Sequence, residues 1–208
     1  MSVLTIDPVP ELRQPILILA FAGWNDAGGA ATTAAKFLSK HLDARKFASI
    51  DPEEFYDFTE QRPMIRLKDT VHREIIWPEN DFYYTQLPEL PQDIIIGIGV
   101  EPHLKWRTYV QAIFELIQTC HVSMVATLGA LLAEVVHSRP VRVTGSTTDP
   151  TLKRRLRLSS SRYEGPTGIV GVLHDACRRH GLPAVSLWAN IPHYISSPSN
   201  PKGALALV

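Results

Sequence analysis

Six side chains capable of acid–base or metal chemistry stand close to segments that resemble strand ends or helix starts. They are His103, His137 and His193, together with Asp26, Glu101 and Glu164. Imidazole and carboxylate groups transfer protons in general acid–base catalysis and also bind metal ions. Their spacing along the chain is diffuse, however, and neither H-E-x-x-H nor C-x-x-C is present. A metal site or a hydrolytic centre would therefore require the fold to bring several of them to one rim.

A glycine-rich stretch follows the first long apolar run and contains Gly23, Trp24, Asn25, Asp26 and Gly28. Glycine lets the backbone turn tightly, and the start of a helix offers unpaired amides that could bind an anion. Asp26 stands where that anion would lie and would repel it. We therefore favour a strand-to-helix turn in which Asp26 caps the helix and Trp24 is packed.

The next glycine-rich turn begins like a dinucleotide-binding fingerprint, with Gly97 and Gly99, but has Pro102 near the place of the third glycine. That glycine is needed for close packing of the helix, so a nucleotide site is not predicted. Glu101 and His103 remain open as an acid–base pair, although solvated loop residues are the favoured interpretation.

Three further segments complete the set of inferred strand ends and helix entrances. Their candidate residues are Gly129 and His137, then Tyr163, Glu164, Gly165, Pro166 and Gly168, and finally Trp188, His193 and Tyr194. Pro102 and Trp106 join the set from the second turn. Ligands of open parallel sheets usually bind beyond the carboxyl ends of the strands, so these residues form one candidate binding rim.

Several chemical classes lack their sequence signatures. There is no G-x-S-x-G nucleophile elbow and no G-x-x-x-x-G-K-[ST] phosphate loop. Cys120 and Cys177 have no electropositive setting and are interpreted as reduced, buried thiols. We predict no cofactor, no metal and no catalytic residue, while leaving the question of enzyme activity open.

Charge and targeting signals point to a cytoplasmic protein that binds neither nucleic acid nor membrane. Basic and acidic residues number 21 each, so the formal net charge is zero. The basic run 153–157 is interpreted as a solvated helix face, with a docking patch for an acidic partner as the alternative. The N-terminus lacks the pattern of a signal peptide, and no apolar run approaches the roughly 18 residues that span a bilayer.

Strand and helix patterns alternate along the chain, which predicts an α/β fold. The strands are predicted at 16–22, 45–50, 93–99, 122–128, 141–144 and 184–189, and the helices at 27–40, 106–120 and 169–179. A turn is predicted at Gly129 and Ala130. Apolar strands alternating with helices are typical of a three-layer α/β/α arrangement with a mostly parallel sheet.

We predict one domain over 1–208, with a small antiparallel β excursion as an insertion at 51–90. That insertion is rich in proline and aromatic residues and has β-like pieces at 64–67, 72–77 and 81–85. The last residues, 200–208, have the pattern of a helix that has just begun, so a longer C-terminal segment is expected in relatives.

These loops together resemble the proteasome assembly chaperone 2 family, in its bacterial, actinobacterial-type branch. The segments that carry the resemblance are F-A-G-W-N-D-A-G at 21–28, 99–102 with Trp106, 128–132, Y-E-G-P-T-G at 163–168, and 186–188 with 192–194. The resemblance implies a phosphorylase/hydrolase-like α/β/α fold, self-association, and no established catalytic residues or cofactor. Its eukaryotic members assist the assembly of proteasome α-rings, whereas the task of its bacterial members is largely unassigned.

Two departures from the family pattern matter. The helical C-terminal segment that the family usually has is absent after Val208, so a tail-dependent contact with the proteasome is not expected of this chain. The proline that usually precedes His137 is also missing, which is a minor difference.

Two function classes remain from the sequence. The leading one is a self-associating, chaperone-like module that binds another protein, a proteasome component by resemblance. The alternative is a small-molecule hydrolase or phosphorylase-like enzyme with its site at the carboxyl ends of the strands. That alternative predicts a pocket in which at least two of Asp26, Glu101, His137, Glu164 and His193 lie within about 4 Å of each other.

Overall fold

The computed structural model describes residues 3–147, 149–158, 163–195 and 199–208. The strands are β1 (Leu4–Ile6), β2 (Ile16–Ala22), β3 (Arg45–Ile50), β4 (Met64–Leu67), β5 (Arg73–Ile76), β6 (Asn80–Thr85), β7 (Ile94–Val100), β8 (Met124–Ala133), β9 (Val143–Thr147) and β10 (Ala184–Pro192). The helices are α1 (Ala30–His41), α2 (Trp106–Thr119), α3 (Pro150–Arg155), α4 (Ile169–Arg179) and α5 (Pro201–Leu207), and a 3-10 turn, Ala27–Gly29, precedes α1.

The described strands form an eight-stranded sheet in the order β1-β3-β6-β7-β2-β8-β10-β9, plus a separate two-stranded sheet of β4 and β5. The four central strands β7, β2, β8 and β10 are parallel to one another, and the strands on either side of them pair antiparallel. The α/β class predicted from the sequence is confirmed, with the parallel pairing concentrated at the centre of a mixed sheet.

The alternating side chains of β2 show how the three layers are built. Leu17 and Phe21 lie in a core cluster with residues of α2 and α4, including Ile113 of α2. Ala20 lies in a second cluster on the opposite face, with Ala30 of α1 and residues of α5. Because successive side chains of a strand point to opposite faces, one strand buried on both sides anchors helices to both faces of the sheet.

Two predicted strands continue further than expected, and the turn predicted at Gly129 and Ala130 is wrong. β8 runs through both residues to Ala133, and β10 runs to Pro192. β10 pairs with Gly129 and Ala130 on one side, while on the other side Ala130 N–H donates to the Asn25 carbonyl at 2.9 Å. Pairing on both sides supplies the backbone hydrogen bonds that a strand needs, and this overrides the local turn preference of glycine.

The segment 51–90 is divided between the two sheets. β4 and β5 pair only with each other, whereas β6 joins the main sheet between β3 and β7, antiparallel to both. The sequence analysis also missed β1, a three-residue strand that pairs antiparallel with β3.

The expectations for the two cysteines and for the basic run hold. Both cysteines are buried free thiols, and burial raises the pKa of Cys177 to about 11, so it stays protonated at neutral pH. The basic residues 153–157 are exposed, as a solvated face requires. In the part of the chain that the structure describes, no helix has both the length and the apolar character to cross a bilayer.

Asp93, just before β7, joins three segments through its buried carboxylate. One oxygen accepts from Arg13 Nη2 at 2.6 Å and from the Leu87 amide at 3.2 Å, and the other accepts from the Arg13 amide at 2.8 Å. These hydrogen bonds, led by the one from the Arg13 side chain, hold the pKa of Asp93 below its usual value. The carboxylate therefore stabilises the fold in its charged form.

Replacing this carboxylate by an amide should destabilise the protein in a pH-dependent way. We expect Asp93→Asn to lower the free energy of unfolding by about 2 kcal/mol at pH 7, since hydrogen bonds to a charged group are lost. A pKa lowered by folding contributes stability above the unfolded value and loses it as pH falls, so the gap should shrink below about pH 4. Urea unfolding of both proteins at pH 7 and pH 3 measures this, and a gap that is constant with pH would contradict it.

Candidate functional site at the carboxyl edge of the sheet

Asp26 caps α1, as the sequence predicts, although three residues lie between it and the helix. Its Oδ1 accepts from the Ala31 amide at 2.6 Å, and its Oδ2 accepts from the Thr32 amide at 3.2 Å and the Thr32 hydroxyl at 2.5 Å. Gly28 adopts a left-handed conformation in the 3-10 turn between them, which lets the chain curl back over the carboxylate. The chain's own carboxylate thus satisfies the amides that an anion would otherwise bind.

Glu101, just after β7, connects three loops at the carboxyl edge of the sheet. Its Oε1 accepts from Asn25 Nδ2 and from the backbone amide of Ile169, each at 2.7 Å. Its own amide donates to the Ala22 carbonyl at 2.8 Å. Because Ile169 is the first residue of α4, the carboxylate also lies at the positive end of that helix. The loops after β2 and β7 and the start of α4 are therefore tied to one side chain.

Gly168 makes this arrangement possible because it has no Cβ. A Cβ built there would lie 2.5 Å from Glu101 Oε1 and 2.7 Å from Asn25 Nδ2, nearer than real Cβ atoms come. Asn25 is 1% exposed, and its Oδ1 has no hydrogen-bond partner among the described residues. Packing against the loops after β2 and β7 therefore requires glycine at position 168 of the Y-E-G-P-T-G segment.

A buried polar network behind Glu101 was missed by the sequence analysis. Tyr109 donates to Asn80 Oδ1 at 2.8 Å, and the Tyr56 hydroxyl lies 2.9 Å from the same oxygen and 2.6 Å from the Val100 carbonyl. The Asn80 side chain fills the space where a Cβ on Gly99 would lie. Burial raises the pKa of both tyrosines, so they act as hydrogen-bond donors rather than nucleophiles. The sequence analysis did not select Asn80, because its two tyrosine partners lie far from it along the chain.

Pro102, His103 and Trp106 have structural partners of their own. Trp106 Nε1 donates to the Pro102 carbonyl at 2.5 Å, which fixes the turn before α2. His103 Nδ1 accepts from the Asp57 amide at 3.2 Å, and its ring meets Tyr56 edge-on at 5.7 Å. The structure shows no hydrogen bond or ion pair between His103 and Glu101 within the described residues, so these two do not form the acid–base pair left open above.

Trp188 lies over Gly129 on the neighbouring strand. Three ring carbons of Trp188 lie 2.6 to 2.9 Å from the place of a Gly129 Cβ, so only glycine admits the indole there. The indole Nε1 donates to Ser186 Oγ at 2.8 Å, which accepts from Thr127 at 2.9 Å. The ring also packs against the core cluster of α2 and α4. This pair of predicted site residues therefore builds the core rather than a ligand site.

His137, His193 and Tyr194 come together at a second place, beyond the ends of β8 and β10. The Tyr194 hydroxyl accepts from the His137 amide at 2.8 Å and lies 3.0 Å from His137 Nδ1. The His193 ring stands perpendicular to Tyr194 at 5.5 Å, and its Nδ1 lies 3.3 Å from the Ala133 carbonyl. All three side chains are exposed. The predicted rim is thus divided into two groups.

The remaining predicted residues form an exposed aromatic surface beside the Glu101 cluster. Trp24 is 65% exposed and Tyr163 is 66% exposed, so Trp24 is not packed as the sequence suggested. The Tyr163 hydroxyl donates to the Pro166 carbonyl at 2.9 Å, and Glu164 and Gly165 are exposed between them. Gly23 adopts a positive φ of 119° next to Trp24 and packs against the Glu101 side chain.

The pairing that the hydrolase-like alternative requires does not occur in the described part of the chain. No hydrogen bond or ion pair there links any two of Asp26, Glu101, His137, Glu164 and His193. Nor do the described residues contain a group of three or more metal-ligating side chains. Asp26 and Glu101 are instead committed to backbone amides at two helix starts.

The protein combines a three-layer α/β/α fold with glycine-rich loops at the carboxyl edge of its sheet, and the residues of these loops hold the structure together. This combination points to one protein family. The PAC2 family model matches residues 20–208, and the chain belongs to that family. A PAC2 family protein from Streptomyces avermitilis is 45% identical, with a TM-score of 0.87 over 93% of this chain and 82% of its own. A proteasome-assembly chaperone homologue from Mycobacterium tuberculosis is 43% identical, with a TM-score of 0.85 over 92% of this chain and 81% of its own.

An archaeal relative shares the fold. The proteasome activator PbaB of Pyrococcus furiosus is 20% identical, with a TM-score of 0.77 over 99% of this chain and 86% of its own, a likeness that shows the fold alone. No curated protein matches the sequence. The actinobacterial relatives agree with the branch that the motifs indicated.

Removing the Glu101 carboxylate should loosen the edge that it ties together. We expect Glu101→Ala to lower the free energy of unfolding by about 2–3 kcal/mol, because the buried amide of Asn25 and the amide of Ile169 lose their acceptor. Glu101→Gln keeps an acceptor oxygen and should cost about 1 kcal/mol. Urea unfolding followed by tryptophan fluorescence measures both.

Glu54→Ala is the matched control, since Glu54 is a half-exposed glutamate that pairs, among the described residues, only with the exposed Lys105. Exposed pairs of this kind contribute little, so its stability should stay close to that of the wild type. A Glu101→Ala protein as stable as this control would show that the carboxylate does not hold the loops.

Proposed function

We propose that this protein is a chaperone-like module that self-associates and binds another protein, a proteasome component. Membership of the PAC2 family supports this role, as does the 43% identical relative described as a proteasome-assembly chaperone homologue. The archaeal proteasome activator of the same fold is consistent with it. The proposal concerns binding rather than chemistry, because the acidic groups at the edge are engaged by helix starts.

The observation that carries the proposal is an exposed aromatic surface on a rigid base. Trp24 and Tyr163 are about two-thirds exposed. Asn25, which follows Trp24, is buried and bonded to Glu101, and the Tyr163 hydroxyl donates to the Pro166 carbonyl of its own segment. Large aromatic side chains anchor protein interfaces, and anchors held in place before binding lose little conformational entropy. A solvent-exposed tryptophan held in this way is what a protein-binding surface requires.

The β4–β5 hairpin supplies a second apolar surface, which we assign to self-association. Ile65, Leu67 and Ile75 share one face of this two-stranded sheet and are between 59% and 64% exposed. Its other face carries the Arg66–Glu74 ion pair, with Glu74 half-buried. Glu74 and Ile76 on that face are half-buried, but Met64 and Arg66 are exposed, so β4 is open to solvent on both faces. The exposed side chains of Ile65, Leu67 and Ile75 form the kind of apolar surface that marks an interface.

We assign a second copy of the chain to this hairpin. Each strand of the hairpin has an unpaired edge among the described residues, and such an edge can pair with its own copy about a two-fold axis. The formal net charge of zero means that two copies do not repel each other as wholes.

Replacing Trp24 should weaken partner binding without unfolding the protein. We expect Trp24→Ala to weaken binding to the proteasome α subunits of the source organism at least tenfold, because a central aromatic anchor is lost. Phe37→Ala is the matched control, since Phe37 is also a half-exposed aromatic residue. It lies on α1, more than one turn after the first residue of the helix. Surface plasmon resonance on purified subunits measures both variants. Absence of any complex with the wild type would overturn the proposed partner.

Charging the hairpin should dissociate the assembly. We expect Ile65→Lys/Ile75→Lys to weaken self-association at least tenfold, because two lysines cannot be buried cheaply in an apolar contact. The control Phe37→Lys/Leu205→Lys adds the same charge at exposed apolar positions on α1 and α5. Sedimentation equilibrium gives the mass of each protein. A wild type that is still monomeric at a concentration of about 100 µM, where even weak dimers form, would contradict this contact.

A further inference from the structure

A cavity of about 490 Å³ lies beyond the carboxyl ends of β8 and β10, away from the Glu101 cluster. It is bounded by the segment after β8, by the last residues of β10 and by the start of α5. Its volume falls in the range of about 300–1,000 Å³ that is typical of small-ligand sites, and its place matches where parallel sheets bind ligands.

The walls of this cavity are largely apolar. Val135, Val136, Val141, Pro192 and Ile195 contribute to the lining. An apolar wall of this extent favours a ligand with a hydrocarbon portion, because removing that surface from water is favourable.

Its charged lining residues are mostly cationic. Arg139, Arg142 and Lys202 lie at the cavity together with one carboxylate, Glu134, which leaves an excess of positive charge. Lys202 Nζ is occupied, since it donates to the carbonyls of His137 at 2.6 Å and Arg139 at 2.9 Å. These two bonds join α5 to the loop and fix the backbone that carries Arg139.

The two guanidinium groups are available for a ligand. Neither the Arg139 nor the Arg142 side chain has an ion pair or hydrogen bond with any described residue. Their backbones are nevertheless held in place, because the Arg142 carbonyl accepts from Asn190 N at 3.0 Å and from Asn190 Nδ2 at 2.8 Å. A guanidinium on a fixed backbone is suited to pairing with a carboxylate through two parallel hydrogen bonds.

We propose that this cavity binds an apolar carboxylate, with its hydrocarbon part against the valine and proline wall and its carboxylate on Arg139 and Arg142. Such a group can belong to a small aliphatic acid or to the free C-terminus of a peptide that ends in apolar residues. Glu134 disfavours a second negative charge on the ligand, so a monoanion is preferred to a dicarboxylate or a phosphate.

Calorimetric titration of the full chain at pH 7 tests the proposal with three probes of equal chain length: octanoate, octylamine and octanol. We expect octanoate to bind at least tenfold more tightly than the other two, since only it can pair with the guanidinium groups. This comparison uses the wild-type protein and so does not depend on the folding of a variant. Equal binding of octylamine, or no binding of any carboxylate probe, would overturn the proposal.

A tripeptide Ala-Leu-Val with a free C-terminus, compared with its C-terminal amide, distinguishes the two sources. Binding of the free acid but not of the amide supports a peptide C-terminus as ligand, while binding of octanoate alone supports a small aliphatic acid. Failure of both the free-acid tripeptide and octanoate contradicts the site itself.

Variants locate the binding within the chain. We expect Arg139→Gln/Arg142→Gln to weaken carboxylate binding about tenfold or more, because two charge-assisted hydrogen bonds are lost. The control Arg178→Gln/Arg179→Gln removes the same charge from α4, where both arginines pair with Asp175. Binding that is reduced equally in both double variants would reflect net charge alone and would overturn the assignment to this cavity.

Discussion

The carboxylate of Glu101 is the interaction on which the carboxyl edge of the sheet depends. Its Oε1 accepts from Asn25 and from the first amide of α4, so a single oxygen joins loops that are far apart in sequence. Neither loop could provide these contacts alone, because each leaves a buried donor that needs an acceptor. Gly168 is required for the same reason, since any Cβ there would displace the two side chains that meet beside it. Packing and hydrogen bonding thus account for Gly168 and Glu101 in the glycine-rich motifs of this chain.

Rigidity at this edge has a functional consequence. An exposed aromatic side chain on a flexible loop would lose conformational entropy when it bound a partner, and this loss would weaken the complex. Trp24 instead follows Gly23, whose backbone packs against Glu101, and precedes the buried Asn25. The buried network of Tyr56, Tyr109 and Asn80 supports the loop after β7 from below. The same contacts therefore fix the backbone on both sides of Trp24, as the proposed binding surface requires.

Much of the fold could be predicted from the sequence, and the reasons for the misses are physical. The apolar run of β2 and the capping position of Asp26 are local signals, and the predictions made from both are confirmed. The turn expected at Gly129 is wrong because β10 pairs with Gly129 and Ala130, and Ala130 also bonds to Asn25 on the other side, which no local pattern records. Asn80 was missed for the same reason, since its two tyrosine partners lie far away in sequence. The sequence also placed His137 and Glu101 on one rim, whereas the structure divides that rim into two groups.

The two groups of the predicted rim differ in the side chains that they leave exposed. Beside β2 and β7, the carboxylates of Asp26 and Glu101 accept hydrogen bonds from helix-start amides, while Trp24 and Tyr163 are exposed. Beyond β8 and β10, the backbone is held by Lys202 and Asn190, while the guanidinium groups of Arg139 and Arg142 are left without partners in the described chain. Both arginines are exposed, so water solvates their guanidinium groups until a ligand replaces it. The two proposed sites share no residue, so occupation of one would leave the other intact.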